Sequence, residues 1–307
     1  MINSDRLKIW VRALRAPFFT ATIVPVVLGA AAAWHDTSRF SWPNFFLALT
    51  GAMSFHAGTN LANDYFDHVS GCDEANPNPT PFSGGSRVIQ EGLIPAKHIL
   101  YASCISFLLG SIIGLYLNLV SGGNVILLLG ICGLFLGVFY SAGPLRIGYG
   151  SLGELAVGIG FGPLMVLGSY YAQAQNLSFR IFLVSIPVAV LIALVLFINE
   201  FPDYNADRAV GKRTLVVILG KKNAAVLYQI LLASTYLFMI CLVMIRYIPV
   251  FAFLALLTLP LAIKAFLVSK KNFDKIIELL PANAATIALH SLIGISLALS
   301  FVLDKIF

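Results

Sequence analysis

The chain has 307 residues, 59% of them hydrophobic and only 11% charged, with a mean hydropathy of +0.88 and a formal net charge of +6. A soluble domain carries roughly 25% charged residues, so there is too little polar surface here to clothe a water-soluble globule. The composition predicts one all-α polytopic membrane domain over 1–307. No stripe of interleaved basic and aromatic residues marks a nucleic-acid surface. Cys72, Cys104, Cys132 and Cys241 lack C-x-x-C spacing, which suggests neither a disulfide framework nor zinc.

In chain order, Arg6, Lys8, Arg12 and Arg15 precede the first apolar run. No small-residue cleavage site follows, so that run is expected to be a retained span and not a signal peptide. A helix needs roughly 20 apolar residues to cross a bilayer. Nine such runs are predicted, at 17–34, 43–62, 98–118, 124–141, 152–172, 180–199, 223–245, 248–268 and 284–303. The loops after the second and sixth are long and polar, whereas those after the first, third, fifth and seventh are short.

With the N-terminus inside, only Arg39, Arg180, Arg246 and Lys305 fall outside, and the other sixteen of the 20 basic residues fall inside. That asymmetry predicts a cytoplasmic N-terminus and an external C-terminus, as for a bacterial inner-membrane protein.

The two polar segments share a pattern. The first reads Asn63-Asp64-Tyr65-Phe66-Asp67-His68-Val69-Ser70-Gly71-Cys72-Asp73, and the second Asn199-Glu200-Phe201-Pro202-Asp203-Tyr204-Asn205-Ala206-Asp207. Each begins Asn-x-x-x-Asp, and the offset of 136 positions suggests an internal duplication, about 1–145 and 146–270. Residues four apart share one helix face, so Asn63 and Asp67 face together, as do Asn199, Asp203 and Asp207. Gly71 is expected to end the first helix before Asp73. Ionisable groups at a membrane are costly and usually functional. Carboxylates and amide oxygens are hard donors suited to Mg²⁺, which also takes oxygens from substrate phosphates. Two such sets on one side of the membrane would form a diphosphate clamp. Asp64 and Glu200 flank the motif asparagines on another helix face and are read as supporting groups, Asp64 among the substrate-binding residues.

Cationic residues follow both motifs. Gly84-Gly85-Ser86-Arg87 is suited to phosphate, through backbone N–H groups and a bidentate guanidinium. Gly211-Lys212-Arg213-Thr214 offers Lys212 and Arg213. The segment Asn76-Pro77-Asn78-Pro79-Thr80-Pro81 is expected to be an irregular lid. In Tyr140-Ser141-Ala142-Gly143-Pro144-Leu145-Arg146, Tyr140 is suited to orienting an acceptor or facing a developing cation, and Arg146 to binding a carboxylate or phosphate. Tyr149 reads better as an interfacial aromatic. Glu154 suits either an active-site acid or an ordinary helix N-terminus. His56 and His290 read as structural histidines, although His56 shares the face of Asn63.

Taken together, these motifs resemble the two aspartate-rich motifs of the UbiA superfamily of intramembrane prenyltransferases. Asn60-Leu61-Ala62-Asn63-Asp64-Tyr65-Phe66-Asp67 with Asp73 resembles the first, and Asp203-Tyr204-Asn205-Ala206-Asp207-Arg208 with Gly211-Lys212-Arg213-Thr214-Leu215 the second. The likeness covers essentially the whole chain. The spacing of Asp67 to Asp73, Gly84-Gly85-Ser86-Arg87 and Tyr140-Ser141-Ala142-Gly143-Pro144-Leu145 look like the branch that prenylates 1,4-dihydroxy-2-naphthoate in menaquinone biosynthesis.

The resemblance implies nine helices around a central cavity, with Mg²⁺ and polyprenyl diphosphate held by Asn63, Asp67, Asp73, Asn199, Asp203 and Asp207. It implies transfer to an aromatic acceptor with loss of CO₂. Two rival readings remain. One is the same chemistry on 4-hydroxybenzoate, homogentisate, a porphyrin-type ring or glycerol phosphate. The other is a transporter of cations or phosphate esters.

Overall fold

A chain with so few polar side chains satisfies its backbone inside lipid by forming helices, because an unpaired N–H or C=O there costs several kcal/mol. The computed structural model describes residues 4–76 and 79–307. Pro77 and Asn78 of the expected lid lie outside the described residues. The described chain is all helix and loop, apart from one isolated bridge between Thr80 and Ser83.

The elements in order are α1 (Ser4–Ala13), α2 (Thr20–Thr37), α3 (Trp42–Val69), α4 (Ala96–Ser121), α5 (Val125–Phe139), α6 (Gly153–Ile159), α7 (Met165–Ala174), α8 (Phe179–Ala209), α9 (Leu215–Met244), α10 (Leu259–Asn272) and α11 (Ile276–Ile306). A wide π turn, Gly160–Leu164, joins α6 to α7 at Pro163, where the missing N–H breaks the regular ladder. A 3₁₀ segment, Val250–Thr258, leads into α10.

Seven helical stretches are long and apolar enough to cross a membrane: Ala16–Thr37, Ala96–Ser121, Gly153–Ala174, Phe179–Ala209, Leu215–Met244, Val250–Asn272 and Ile276–Ile306. They coincide with seven of the nine predicted spans. The other two runs are helical but differ in kind. α3 has ample length, but its last turns carry Asn60, Asn63, Asp64 and Asp67. α5 has 15 residues, about 22 Å of helix against a hydrocarbon core of about 30 Å. The sequence did not predict α1, an amphipathic helix whose Ile9 and Trp10 pack on Leu61, Val88, Ile94 and Ile99.

The main core joins α2, α8, α9 and α11 through residues such as Leu28, Leu191, Ile198, Tyr228 and Leu289. Where α2 meets α7 the backbones nearly touch: a Cβ on Gly29 would lie 2.3 Å from the Val166 carbonyl oxygen. Close approach through small residues is how helices associate in lipid, where no hydrophobic driving force exists between them. At the end of the bundle remote from the aspartates, Asp36 bonds Arg180, His35 and the Tyr170 hydroxyl (2.9 Å), and His35 bonds Asp304 (3.0 Å). This network ties α2, α7, α8 and α11 together, so that their opposite ends are free to frame a chamber.

Gly29→Ala should therefore cost about 1–3 kcal/mol through overpacking and lower the unfolding temperature in detergent. Gly114→Ala, where a Cβ meets nothing within 4 Å, should leave it unchanged.

Candidate active site

α3 and α8 both continue as helix beyond the predicted span ends, 62 and 199, to Val69 and Ala209. The first motif thus runs from helix into loop at Gly71, as expected, whereas the second is helical throughout, with Pro202 inside it. Asn63, Asp67, Asp73, Asn199, Asp203 and Asp207 all line one chamber of about 1030 Å³. The two motifs, far apart in sequence, therefore share a single space.

The link between them is Lys212. Its Nζ lies 3.3 Å from both Asp67 carboxylate oxygens and 3.8 Å from Asp207 Oδ1. It also sits 4.4 Å from the centre of the Tyr149 ring, a favourable place for a cation. Burial alone would lower this ammonium's pKa, but Asp67 and Asp207 hold it well above the usual lysine range.

Around that link the carboxylates are oriented by neutral donors. Asn63 Nδ2 donates to Asp67 Oδ2 (3.0 Å) and to Ser141 Oγ (3.1 Å). The Tyr149 hydroxyl donates to Asp67 Oδ1 (2.7 Å) and lies 2.7 Å from Ser70 Oγ. Asn76 Nδ2 donates to Asp203 Oδ1 (2.8 Å), and Gln90 Nε2 to Asp73 Oδ2 (3.3 Å). Asn283 Nδ2 donates to Asn199 Oδ1 (2.8 Å). Burial, followed by the charge of Asp67, pushes the Asp73 carboxyl up to about 7. Burial likewise pushes the Cys72 thiol, 3.6 Å from Asp207, up to about 12, which disfavours the thiolate.

Asp64 has a different task. It is 2% exposed and does not line the chamber. One of its oxygens takes Arg15 and the Ser86 N–H (3.2 Å), and the other takes the Ser86 hydroxyl. Arg15 also donates to Asn63 Oδ1 (3.0 Å). Asp64 thus pins the Gly84–Arg87 loop beside the first motif. Gly85 sits there at φ +74, and a Cβ on it would lie 2.7 Å from Asp73 Oδ2, so no other residue fits the approach. Arg87 lines the chamber and donates from Nη1 to the Asp73 carbonyl (2.6 Å).

The other expectations divide. Tyr140 lines the chamber, its ring lying where a Cβ on Gly148 would fall within 2.7 Å. Arg146 is exposed over the Tyr149 ring, and Arg213 is exposed with its backbone N–H on the Tyr149 carbonyl (2.8 Å). Neither lines the chamber, so the structure does not bring these two together with the other expected site residues. Arg213 adjoins the inward Lys212, and adjacent side chains at a helix end point apart, whereas Arg146 lies three residues before Tyr149 and covers the outer side of its ring. Glu154 is buried but does not line the chamber, whereas Glu200 does.

Sequence reasoning missed Arg15, Asn76, Tyr149 and Asn283. Only Arg15 carried a signal, as a charge beside an apolar span.

Among the described residues no three His, Cys, Asp or Glu side chains converge closely enough to enclose an ion by themselves. The donor set nevertheless fits Mg²⁺, which usually takes one or two carboxylates and completes its shell with water and substrate phosphate. Asp67 and Asp73 on one wall, and Asp203 and Asp207 on the other, supply those carboxylates.

Asp64→Asn should leave Arg15 uncompensated and cost about 3 kcal/mol, read as a lower unfolding temperature in detergent. Arg15→Met combined with Asp64→Asn should recover part of that loss.

The chain is similar in sequence to proteins of known activity. It is 30% identical to a 2-carboxy-1,4-naphthoquinone phytyltransferase of Synechocystis over 84% of this chain and 81% of the relative. It is 32% identical to the 1,4-dihydroxy-2-naphthoate octaprenyltransferase of Escherichia coli over 85% and 84%. Its fold is similar to that of a UbiA homolog from Aeropyrum pernix K1, with a TM-score of 0.66 at 17% identity over 92% of this chain and 97% of that one. It is also similar to a UbiA homolog from Archaeoglobus fulgidus bound to GPP and Mg²⁺, with a TM-score of 0.63 at 16% identity over 94% and 99%. The model of the UbiA prenyltransferase family matches residues 22–292. This membrane chain, whose two aspartate motifs meet across one chamber, belongs to the UbiA prenyltransferase family.

Proposed function

We propose that the protein transfers a polyprenyl group from polyprenyl diphosphate to 1,4-dihydroxy-2-naphthoate, releasing diphosphate and CO₂. The observation that carries this reading is the shared chamber, with Lys212 within 4 Å of carboxylates from both motifs. The naphthoate acceptor is favoured by relatives of that named activity at about 30% identity over most of their length.

Asn63, Asp67, Asp73, Asn199, Asp203 and Asp207 are assigned to Mg²⁺ and diphosphate. The ion, when bound, neutralises the diphosphate charge as the leaving group departs. Lys212 and Arg87 add positive charge at the same end of the chamber, where it is worth most in a dry site. The allylic C–O electron pair leaves with diphosphate, and the ring carbon that bears the acceptor's carboxylate bonds to the prenyl carbon. Loss of the carboxylate as CO₂ returns its C–C electron pair to the ring. CO₂ takes the place of a ring proton as the departing group, so the substitution needs no dedicated base. Phe161, Phe18 and Tyr140 in the chamber wall offer ring faces to an allylic cation and keep water from trapping it.

We further assign nine crossings, counting α3 and α5 with the seven apolar stretches. The chamber and N-terminus are then cytoplasmic and the C-terminus external, on the strength of the basic-residue asymmetry.

Asp67→Ala or Asp203→Ala should lower turnover in lipid nanodiscs by at least about 10²-fold, measured on the fraction of each variant that inserts and stays folded. Near-normal rates in both variants would defeat the assignment. Chelation of Mg²⁺ should abolish product, and re-addition should restore it. A reporter active only outside the cytoplasm, fused after Phe307, should be active; a silent one would sink the odd number of crossings.

A further inference from the structure

The chamber does not end at its polar floor. A second, apolar groove of about 170 Å³ opens from it between α3, α4, α5 and the α6–α7 stretch. His56, Thr59, Tyr140, Val157 and Phe161 line both spaces and form the neck between them. Two of the three polar side chains at this neck have an atom to spare. The Thr59 hydroxyl is used, donating to the Phe55 carbonyl (2.9 Å).

His56 is held in a fixed pose. It is 7% exposed, its Nδ1 lies 2.8 Å from Thr22 Oγ1, and its ring meets Phe19 and Phe161 edge-on at 5.2 and 4.8 Å. Among the described residues nothing pairs with its Nε2, and that atom is not sealed off by protein as His290 Nε2 is. It therefore opens onto the cavity at a neck whose only other polar side chains are Thr59 and Tyr140 among the described residues. A nitrogen so placed is open to a hydrogen bond from whatever polar group enters the neck.

A substrate can supply that partner, and only one of the two substrates has the means. His56 precedes Asn63 by seven residues, about 10 Å along α3, so it stands well below the level where the diphosphate is assigned. An isoprenoid chain carries no polar atom beyond its diphosphate. The aromatic acceptor carries hydroxyl and carboxylate oxygens.

We propose that His56 is a positioning residue for the acceptor: its Nε2 hydrogen-bonds an oxygen substituent of the acceptor ring and sets the ring against the prenyl C1 at the neck. Thr22 fixes the imidazole's orientation, and the Phe19 and Phe161 edges keep it from turning. This rests on the proposed transfer reaction and deepens it by naming the group that recognises the ring.

The test uses the full chain in nanodiscs, with 1,4-dihydroxy-2-naphthoate followed by the anisotropy of its own fluorescence and, separately, by turnover with one prenyl diphosphate and MgCl₂. His56→Phe keeps the ring packing and removes the nitrogen. It should weaken naphthoate binding and raise its KM about tenfold, the equivalent of one hydrogen bond, while the KM for prenyl diphosphate stays put. His56→Gln should restore part of the affinity. If His56→Phe folds poorly, Thr22→Val serves instead, loosening the ring and shifting naphthoate affinity in the same direction by less. Unchanged naphthoate affinity in these variants, or equal shifts for both substrates, would overturn the role of His56. His56-dependent naphthoate binding with no product from the unaltered protein would leave this inference standing and overturn the transfer reaction alone.

Discussion

Everything in the polar chamber depends on one ammonium held between two helices. Lys212 reaches Asp67 on α3 and Asp207 on α8, and no other basic side chain touches both motifs among the described residues. Burying a charge is costly unless it is paired, and here one cation answers two carboxylates while two more, Asp73 and Asp203, look into the same space. Burial first, and then the neighbouring charge of Asp67, pushes the Asp73 carboxyl up to about 7. Such an excess of acid is tolerable in a site built to receive cations, and it gives the chamber its affinity for a metal–diphosphate complex under the proposed reaction.

Rigid geometry divides labour between adjacent residues. Asn63 and Asp64 are neighbours in sequence, but a helix turns about 100° per residue. Asn63 faces the chamber, and Asp64 turns to Arg15 and Ser86, which themselves reach the chamber wall. The second set of bonds holds the Gly84–Arg87 loop where Gly85 can pass against Asp73. Lys212 and Arg213 repeat the lesson, one buried between aspartates and the other exposed. In each case the residue turned away is structural or a surface charge, and the residue turned inward has the chemistry.

The remaining wall serves the opposite requirement. Under the proposed reaction, a chamber that releases an allylic cation must exclude water and still admit an aromatic ring. Beyond the neck the lining is almost entirely carbon, with glycines such as Gly114, Gly130 and Gly160 bordering open space. Helix-facing glycines elsewhere, such as Gly29, meet a neighbouring backbone. The same residue type thus closes the bundle on one side and hollows it on the other.

Much of this was legible in the sequence. Apolar runs of bilayer length have no stable alternative to helices, so seven spans, the repeated Asn-x-x-x-Asp pattern and its hard-oxygen chemistry follow from residue order alone. Hydropathy could not separate α3, whose polar turns belong to the site, from an ordinary span end, nor announce α1, whose amphipathic turns are too short to stand out. Which cation serves the site depends on side-chain direction at a helix end, and a linear pattern does not encode it. Residue order therefore fixed that two acidic clusters exist; only the packing of α3 against the segment before α2, the loop before α6 and the loop after α8 decided that Arg15, Tyr149 and Lys212 would hold them in place, because those contacts join residues 49 to 145 positions apart.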